Sequence, residues 1–369
     1  MPAKRLLVFC GGSFVFGAEI VTLSILKELK SSNIDIHCIV SGWNDGTFIS
    51  RLSQLGIPYT EVKLGFFYIS KPLWTLDTLI NYPSAIIKIK KVIKDFKPDA
   101  TYHTTFRTIL MIGFLIKKIK NIFFVFDPHY GKLNKFYFKH CNKYTSLYVA
   151  VSSAIKDNLE KIGAVESKII ILRNGIQISN ISLSSPYKND NVLTFGIIGQ
   201  IIERKGHVYV IKALNILIKQ GYNLKIMIIG SGNEVFKEKL RTEIKDLNLE
   251  HYVEWKDFID SRDILYSLTD IVLVPSITVD PLPTTAMEAG LYFKPVIVTD
   301  IGGLPEIAIH GKTGYIVKPE CEHSLAKAME VFLLNAKIIE SFGQNAHKHI
   351  TENFNVKQNI DPLKEYINI

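Results

Sequence analysis

Cysteine is scarce and scattered: four residues in 369, Cys10, Cys38, Cys141 and Cys321, with no CxxC pair. Together with the placement of Cys10 and Cys38 in predicted strands, this favours a reduced, cytosolic protein. Long apolar runs are missing too. None approaches the ~20 residues needed to cross a bilayer. The start, MPAKRLLVFC, is basic and then apolar, but its apolar run is too short for a signal peptide and no small-x-small cleavage site follows cleanly. A buried first strand accounts for it. There is no low-complexity tract, no evident repeat, no DxD motif and no His/Cys/Asp cluster at metal-ligand spacing. RNP-like, zinc and helix-turn-helix signatures are also lacking, so nucleic acid is not an expected partner.

What is present is a chain long enough for two medium-sized domains. Hydrophobic residues make up 47% and charged residues 21%, an ordinary globular balance. Charge is uneven. Residues 1–180 carry 24 Lys and Arg against 12 Asp and Glu, a net of +12; residues 181–369 carry 20 against 23, a net of −3. Only the first half is therefore expected to meet an anionic surface.

Both halves alternate short apolar runs with helical patterns. Strands are predicted at 5–10, 35–40, 100–103, 122–126 and 147–151, with helices such as 18–30 and 152–162 between them. After a polar, turn-rich linker at 178–191 the alternation resumes, with strands at 193–198, 224–229, 252–254, 271–274 and 295–299. Strands separated by helices imply parallel sheets with right-handed crossovers. The fold class is thus α/β with two doubly wound, Rossmann-like domains, 1–180 and 190–350. A C-terminal helix, 351–369, is placed to pack back on the first domain. In such sheets ligands bind beyond the carboxyl ends of the strands.

Glycine loops follow several of those strands. GGSFVFGAE (11–19) is not a Walker loop, because Ala18-Glu19 stands where Lys-Ser/Thr is needed, and it is not GxGxxG. It offers backbone N–H groups near Gly17 to an anion, and serves equally as a tight turn. GQIIERKGH (199–207) carries Gly199 and two cations, Arg204 and Lys205, a fork and a point charge suited to a diphosphate. IIGSGNE (228–234) repeats the layout with Gly230. In DPLPTTAMEAG (280–290), Pro283 suits a first helical position. The Thr284 and Thr285 N–H groups then lie at the positive end of that helix. Glu288, one turn on, suits a vicinal diol such as a ribose, and Asp280 suits sugar hydroxyls.

The run DPLPTTAMEAG…KPVIVTDIGGLPEIAIHGKTGYIV (280–317) resembles the signature of retaining GT-B glycosyltransferases of family four (group 1): an acid, seven residues, Glu, then GG-x-PE. GQIIERKGH resembles the donor-phosphate loop of that family. RNGI (173–176), VSSAIKDNL (151–159) and GAE (17–19) resemble its further landmarks. One departure is Asp280, where the family has Glu. The resemblance implies a GT-B architecture, its two domains facing across a cleft, with the first binding the acceptor and the second the nucleotide sugar. It implies that Arg204 and Lys205 neutralise the departing diphosphate with the N–H groups near Pro283–Thr285, that Glu288 holds the ribose and that Asp280 holds the sugar. A histidine after an N-domain strand would face that sugar; His129 is preferred to its rival His103. Segment 255–259 falls where the family holds the base. No metal and no cofactor is implied beyond the donor, with UDP or GDP as its nucleotide. The implied activity is a hexosyl transfer to a saccharide or lipid-linked acceptor in cell-surface polysaccharide or lipopolysaccharide assembly.

Aromatics, isoleucines and lysines mix at 65–97, with Ile86, Ile87, Ile89, Val92, Ile93 and Phe96 at helical spacing, and again at 114–124. A basic amphipathic surface of this kind is expected to contact an anionic membrane face peripherally.

Overall fold

The structure, a computed structural model, describes residues 3–10, 12, 14–15, 17–64, 72–178 and 192–368, the Leu133 side chain excepted. Part of the 11–19 loop, the aromatic stretch 65–71 and nearly all of the 178–191 linker lie outside the described residues. The chain divides into two compact units, Met1–Gln177 with Val356–Ile369, and Ile178–Asn355.

The first unit runs β1 (Lys4–Cys10), α1 (Gly17–Ser31), β2 (Ile34–Ser41), α2 (Thr47–Gln54), β3 (Tyr59–Val62), α3 (Pro72–Phe96), β4 (Ala100–His103), α4 (Phe106–Ile116), β5 (Lys120–Val125), α5 (Lys132–Cys141), β6 (Leu147–Ala150), α6 (Ser153–Lys161) and β7 (Ile169–Ile171). Its seven strands are ordered β3-β2-β1-β4-β5-β6-β7 and all pairs are parallel. Parallel sheets are covered on both faces, which is why β1, β4, β5 and β6 read as nearly continuous apolar runs. Helix starts are marked by caps: Thr105 accepts from the Arg107 N–H and Ser152 from the Ile155 N–H.

The second unit runs β8 (Leu193–Ile198), α7 (His207–Lys219), β9 (Leu224–Ile229), α8 (Glu234–Asp246), β10 (Val253–Lys256), α9 (Arg262–Ser267), β11 (Ile271–Val274), α10 (Thr284–Leu291), β12 (Val296–Thr299), α11 (Leu304–Ile307), β13 (Gly314–Val317), α12 (Glu322–Leu334) and α13 (Ile338–Asn353). Its strand order is β10-β9-β8-β11-β12-β13. One core cluster joins Phe195 of β8, Ile226 of β9, Leu214 of α7 and Phe332 of α12. The order reverses between β8 and β11, so the loops leaving those two strands diverge at a switch point, where ligands of open α/β sheets bind.

The last elements, α14 (Val356–Asn359) and α15 (Asp361–Asn368), return to the first unit. The Val356 N–H donates to the Ile176 carbonyl at 3.2 Å, and Gly175 lies so close that a Cβ there would collide with the Val356 backbone. The Asn-Gly-Ile stretch thus receives the returning chain, whereas α12 and α13 stay with the second unit.

One expectation changes. Between 84 and 97 most of the apolar positions face inward: Ile89 is buried, and Ile86, Val92, Ile93 and Phe96 pack beside it on Leu7, Phe9 and Ile112. Phe123 and Phe124 are likewise buried, in β5. Among the described residues no helix is long and apolar enough to cross a membrane.

Because Gly175 has no room for a side chain, Gly175→Ala is expected to cost about 1–3 kcal/mol. A urea denaturation series measures this; an unchanged midpoint would show that the returning segment is not packed as described.

Candidate active site

The loop between β8 and α7 opens with Gly199 at φ 131° and closes with Gly206 at φ 74°. Both conformations favour glycine. At Gly206 a Cβ would strike the Pro275 carbonyl oxygen, so the loop after β8 lies directly against the one after β11. The Ile277 N–H donates to the Arg204 carbonyl at 2.9 Å and fixes that contact. Gly230, after β9, presses on the Gly199 carbonyl in the same way. Of the expected ligand-binding glycines, Gly230 therefore has a packing reason to be there, and Gly199 a conformational one. Gly17 has open space where a Cβ would stand, at the first residue of α1.

That contact brings charge together. Lys205 Nζ lies 2.6 Å from Asp280 Oδ2, and Ser276 Oγ donates to the same oxygen at 2.8 Å. The Asp280 side chain is 6% exposed and that of Lys205 17%, so the pair is largely shielded from water. Removing one partner of such a pair strands the other and costs several kcal/mol. Arg204, one residue earlier, is exposed. Ser276 is held in turn by its strand neighbour: Thr299 Oγ1 donates to its carbonyl at 2.7 Å.

Four residues after Asp280, α10 begins at Thr284 with Pro283 as its N-cap in extended conformation. Pro283 was expected at the first helical position and instead stands one residue before it. The Thr284 and Thr285 N–H groups occupy the first two helical positions, where no intrahelical acceptor exists. Gly302 and Gly303 press on the Asp280 and Pro281 backbone from below, and the Gly303 N–H donates to the Asp280 carbonyl at 2.9 Å. The GG of the GG-x-PE segment thus holds the acid-bearing turn in place.

Glu288 is one turn into α10, its side chain 16% exposed. Arg262 Nε lies 3.3 Å from its Oε2, and Tyr266 OH donates to the same atom at 3.1 Å. Tyr266 is fully buried, stacked on Tyr292 at 5.0 Å. Burial pushes the Glu288 carboxyl pKa up, while Arg262 and the Tyr266 hydroxyl pull it down. Sequence reasoning missed Arg262, Tyr266 and Ser276. A signal existed for the first two: they are four residues apart, so any helix there, as α9 is, puts both on one face. Segment 255–259, expected near the base, covers the end of β10 and the residues after it, and leaves Phe258 72% exposed.

In the first unit the two candidate histidines differ. His103 is fully buried and stacked on Phe9 at 4.7 Å, and its ring nitrogens bond to Thr101 and Thr108, each at 2.9 Å. Its ring is committed to the core, and burial holds its pKa down to about 3. His129 is partly exposed. Its backbone N–H and carbonyl are both clasped by the Asn158 amide, at 2.8 and 3.1 Å, which leaves the ring to pack among Phe106, Phe123 and Phe138. Burial, with the Arg107 charge, lowers its pKa to about 4, so the ring is neutral near pH 7. Among the described residues no group of three or more His, Cys, Asp or Glu is placed to hold a metal ion.

Parallel α/β units with a charged switch-point loop are shared by many nucleotide-handling proteins, and the comparisons narrow that class. Residues 15–180 match the model of Glycosyltransferase Family 4, and residues 182–349 that of Glycosyl transferases group 1. The chain belongs to the family-four, group 1 glycosyltransferases, with the GT-B fold. It is similar to an uncharacterized glycosyltransferase of Methanocaldococcus jannaschii, 28% identical over 234 residues, covering 58% of this chain and 59% of that protein. It is also similar to CapM of Staphylococcus aureus, a capsular polysaccharide biosynthesis glycosyltransferase, 26% identical over 239 residues and covering 56% and 57%. The chain thus spans about three-fifths of the length of these curated relatives. In structure it resembles Anabaena HepE in complex with UDP-glucose, with a TM-score of 0.80 at 20% identity over 99% of both chains.

Arg262→Ala is expected to raise the Glu288 pKa further, because it removes a stabilising cation from a shielded carboxylate. An acid whose folded pKa exceeds its ordinary value of 4.5 gives stability that is present at low pH and lost as pH rises through the raised value. The variant should therefore lose stability over a wider pH span than the parent. Carboxyl carbon NMR titration checks the shift; a pKa equal to or below the parent's would contradict the geometry.

Proposed function

We propose that the chain is a retaining glycosyltransferase that moves a hexose-type sugar from a nucleoside diphosphate sugar to a saccharide or lipid-linked acceptor in the assembly of a cell-surface polysaccharide or lipopolysaccharide. The observation that carries this reading is the Lys205–Asp280–Ser276 cluster at the switch point, whose Asp280 stands four residues before the first N–H group of α10. The UDP-glucose bound to HepE supports a UDP-sugar donor, with GDP-sugars as the other candidate, and the capsular role of CapM supports the polysaccharide setting.

In the proposed reaction the bond between the sugar C1 and the diphosphate oxygen breaks, leaving the electron pair on the nucleoside diphosphate. A bond forms from an acceptor hydroxyl oxygen to C1 on the same face, and the hydroxyl proton passes to the departing diphosphate. Negative charge grows on the leaving group as the bond stretches. Lys205, Arg204 and the Thr284 and Thr285 N–H groups meet that charge, and being fixed beforehand they stabilise the transition state more than the ground state. No metal is needed for that task. Asp280 acts first by holding Lys205 in place through Oδ2, and its other oxygen, Oδ1, is the atom offered to a sugar hydroxyl. Glu288, oriented by Arg262 and Tyr266, accepts from the ribose diol. His129 supplies a neutral imidazole for the sugar. The basic first unit gives the enzyme a peripheral hold on an anionic membrane face.

Turnover with a panel of UDP-, GDP- and dTDP-hexoses, followed by NMR of the product's anomeric configuration, tests the reading. Transfer with retained configuration supports it. Inversion, or tight donor binding with no transfer to any acceptor, would overturn it. Lys205→Ala is expected to lower kcat/KM by about 10²-fold or more; an unaltered rate removes the leaving-group role. Glu288→Ala is expected to weaken donor binding while leaving the fold intact, read by calorimetry; an unchanged Kd removes the ribose role.

A further inference from the structure

Beyond the carboxyl ends of β2 and β3 the first unit holds a hollow of about 310 Å³. Ligands of parallel sheets bind beyond such ends, and this size falls within the roughly 300–1,000 Å³ of small-molecule sites. Two of the residues that line it, Val62 and Ala85, are buried and apolar. The others are mostly polar: Lys63 just after β3, Glu61 within it, and Asn81, Ser84 and Lys88 on α3. The last three stand three, four and seven residues apart, so one helix face presents them together.

The chemistry of the hollow is mixed. Among the described residues neither Lys63 nor Lys88 is in an ion pair. The Lys63 stem settles against Gly42, where a Cβ would come within 2.8 Å of its Cγ, and its Nζ stands 5.9 Å from the Trp43 ring. Asp77, on the same helix, is engaged elsewhere, accepting from Trp43 Nε1 at 2.6 Å and from Asn81 Nδ2 at 3.0 Å. Asn81 Nδ2 also donates to the Asp77 carbonyl at 2.8 Å, which uses up that nitrogen and leaves Oδ1 as an acceptor. Glu61 is a second acceptor, its Oε2 3.4 Å from Asn44 Nδ2. Ser84 adds a hydroxyl. A bare anion would meet Glu61 as well as the lysines, and a neutral sugar would leave two ammonium groups unanswered. A nucleobase would find no aromatic side chain lining the hollow. A molecule that carries both an anionic group and several hydroxyls answers every group present.

We infer that this hollow binds an acidic saccharide, its carboxylate or phosphate held between Lys63 and Lys88 and its hydroxyls on Asn81, Ser84 and Glu61. Taken with the transferase reading, on which this one clause rests, it makes the acceptor an acidic glycan. The binding itself does not depend on the sugar-transfer chemistry of the second unit.

The test is ligand-detected NMR titration of the full chain, without donor, with glucuronate, glucose 6-phosphate and glucose, and with inorganic phosphate as competitor. At least one acidic sugar is expected to bind about 10-fold or more tighter than glucose and to weaken as salt rises. Preference for glucuronate identifies a carboxylate, and preference for glucose 6-phosphate a phosphate. Lys63→Ala with Lys88→Ala is expected to abolish the preference; both positions are exposed, so the melting curve should not change. Lys90→Ala with Lys91→Ala removes two exposed lysines of the same helix that do not line the hollow, and should bind like the parent. The inference is overturned if no probe binds, if glucose binds as tightly as the acids, or if the Lys63 and Lys88 variant keeps the preference. It is equally overturned if the Lys90 and Lys91 variant loses the preference to the same extent, or if inorganic phosphate matches the affinity of the preferred sugar, which would mean that an anion alone is bound. A UDP titration of the same sample reads the donor site separately. UDP binding without acidic-sugar binding sinks this inference alone, and acidic-sugar binding without UDP binding sinks the transferase reading alone.

Discussion

The contact between Lys205 and Asp280 organises the second unit's site. It joins two loops that leave adjacent strands and diverge at the point where the sheet order reverses. A lone lysine on an exposed loop would sweep through solvent and hold little charge in one place. Tied at 2.6 Å to a carboxylate that Ser276 also grips, its ammonium is confined to the foot of α10. The desolvation of two charges is a real cost, which the mutual attraction and the serine hydroxyl offset. Glycines enforce the closeness: Gly206 against Pro275, and Gly302 and Gly303 against the turn that bears Asp280.

From that constraint the chemistry follows in order. A helix start with unsatisfied N–H groups attracts an anion weakly by itself. A cation pinned to Asp280, four residues before that start, makes the same place attractive to a group that gains negative charge during reaction. A second carboxylate, Glu288, is shielded enough to resist ionisation, and Arg262 and Tyr266 counter that tendency. The two acids are thus held by different partners, one locked to a cation and the other to Arg262 and Tyr266, which suits the different tasks proposed for them. Asp280, where the family has Glu, is short enough to stay on the lysine.

Much of this was legible in the sequence. The alternation of apolar runs and helical patterns marked both parallel sheets, because strands buried on two faces must be apolar throughout. Three strands escaped: β3, β7 and β13. All are short and lie at sheet edges; in β3 the polar Thr60 and Glu61 break the apolar signal, and β7, though all isoleucine, is only three residues long. The site residues Lys205, Asp280 and Glu288 stood out by spacing. Their mutual geometry did not, since the Lys205–Asp280 pair spans 75 positions of sequence and depends on which loops touch. The supporting Arg262 and Tyr266 belong to a helix with no motif of its own. The apolar positions of 84–97 read as surface for a related reason: periodicity shows that a helix has two faces, and only packing shows which face is covered.

The central claim is that the pinned Lys205 and the start of α10 grip the phosphate nearest the transferred sugar. Calorimetric titration of the chain with UDP and GDP against UMP and GMP tests it most directly. The terminal phosphate should tighten the preferred nucleotide's binding by about 10-fold or more, as a charge-assisted contact of this kind implies. Equal affinity of diphosphate and monophosphate would contradict it.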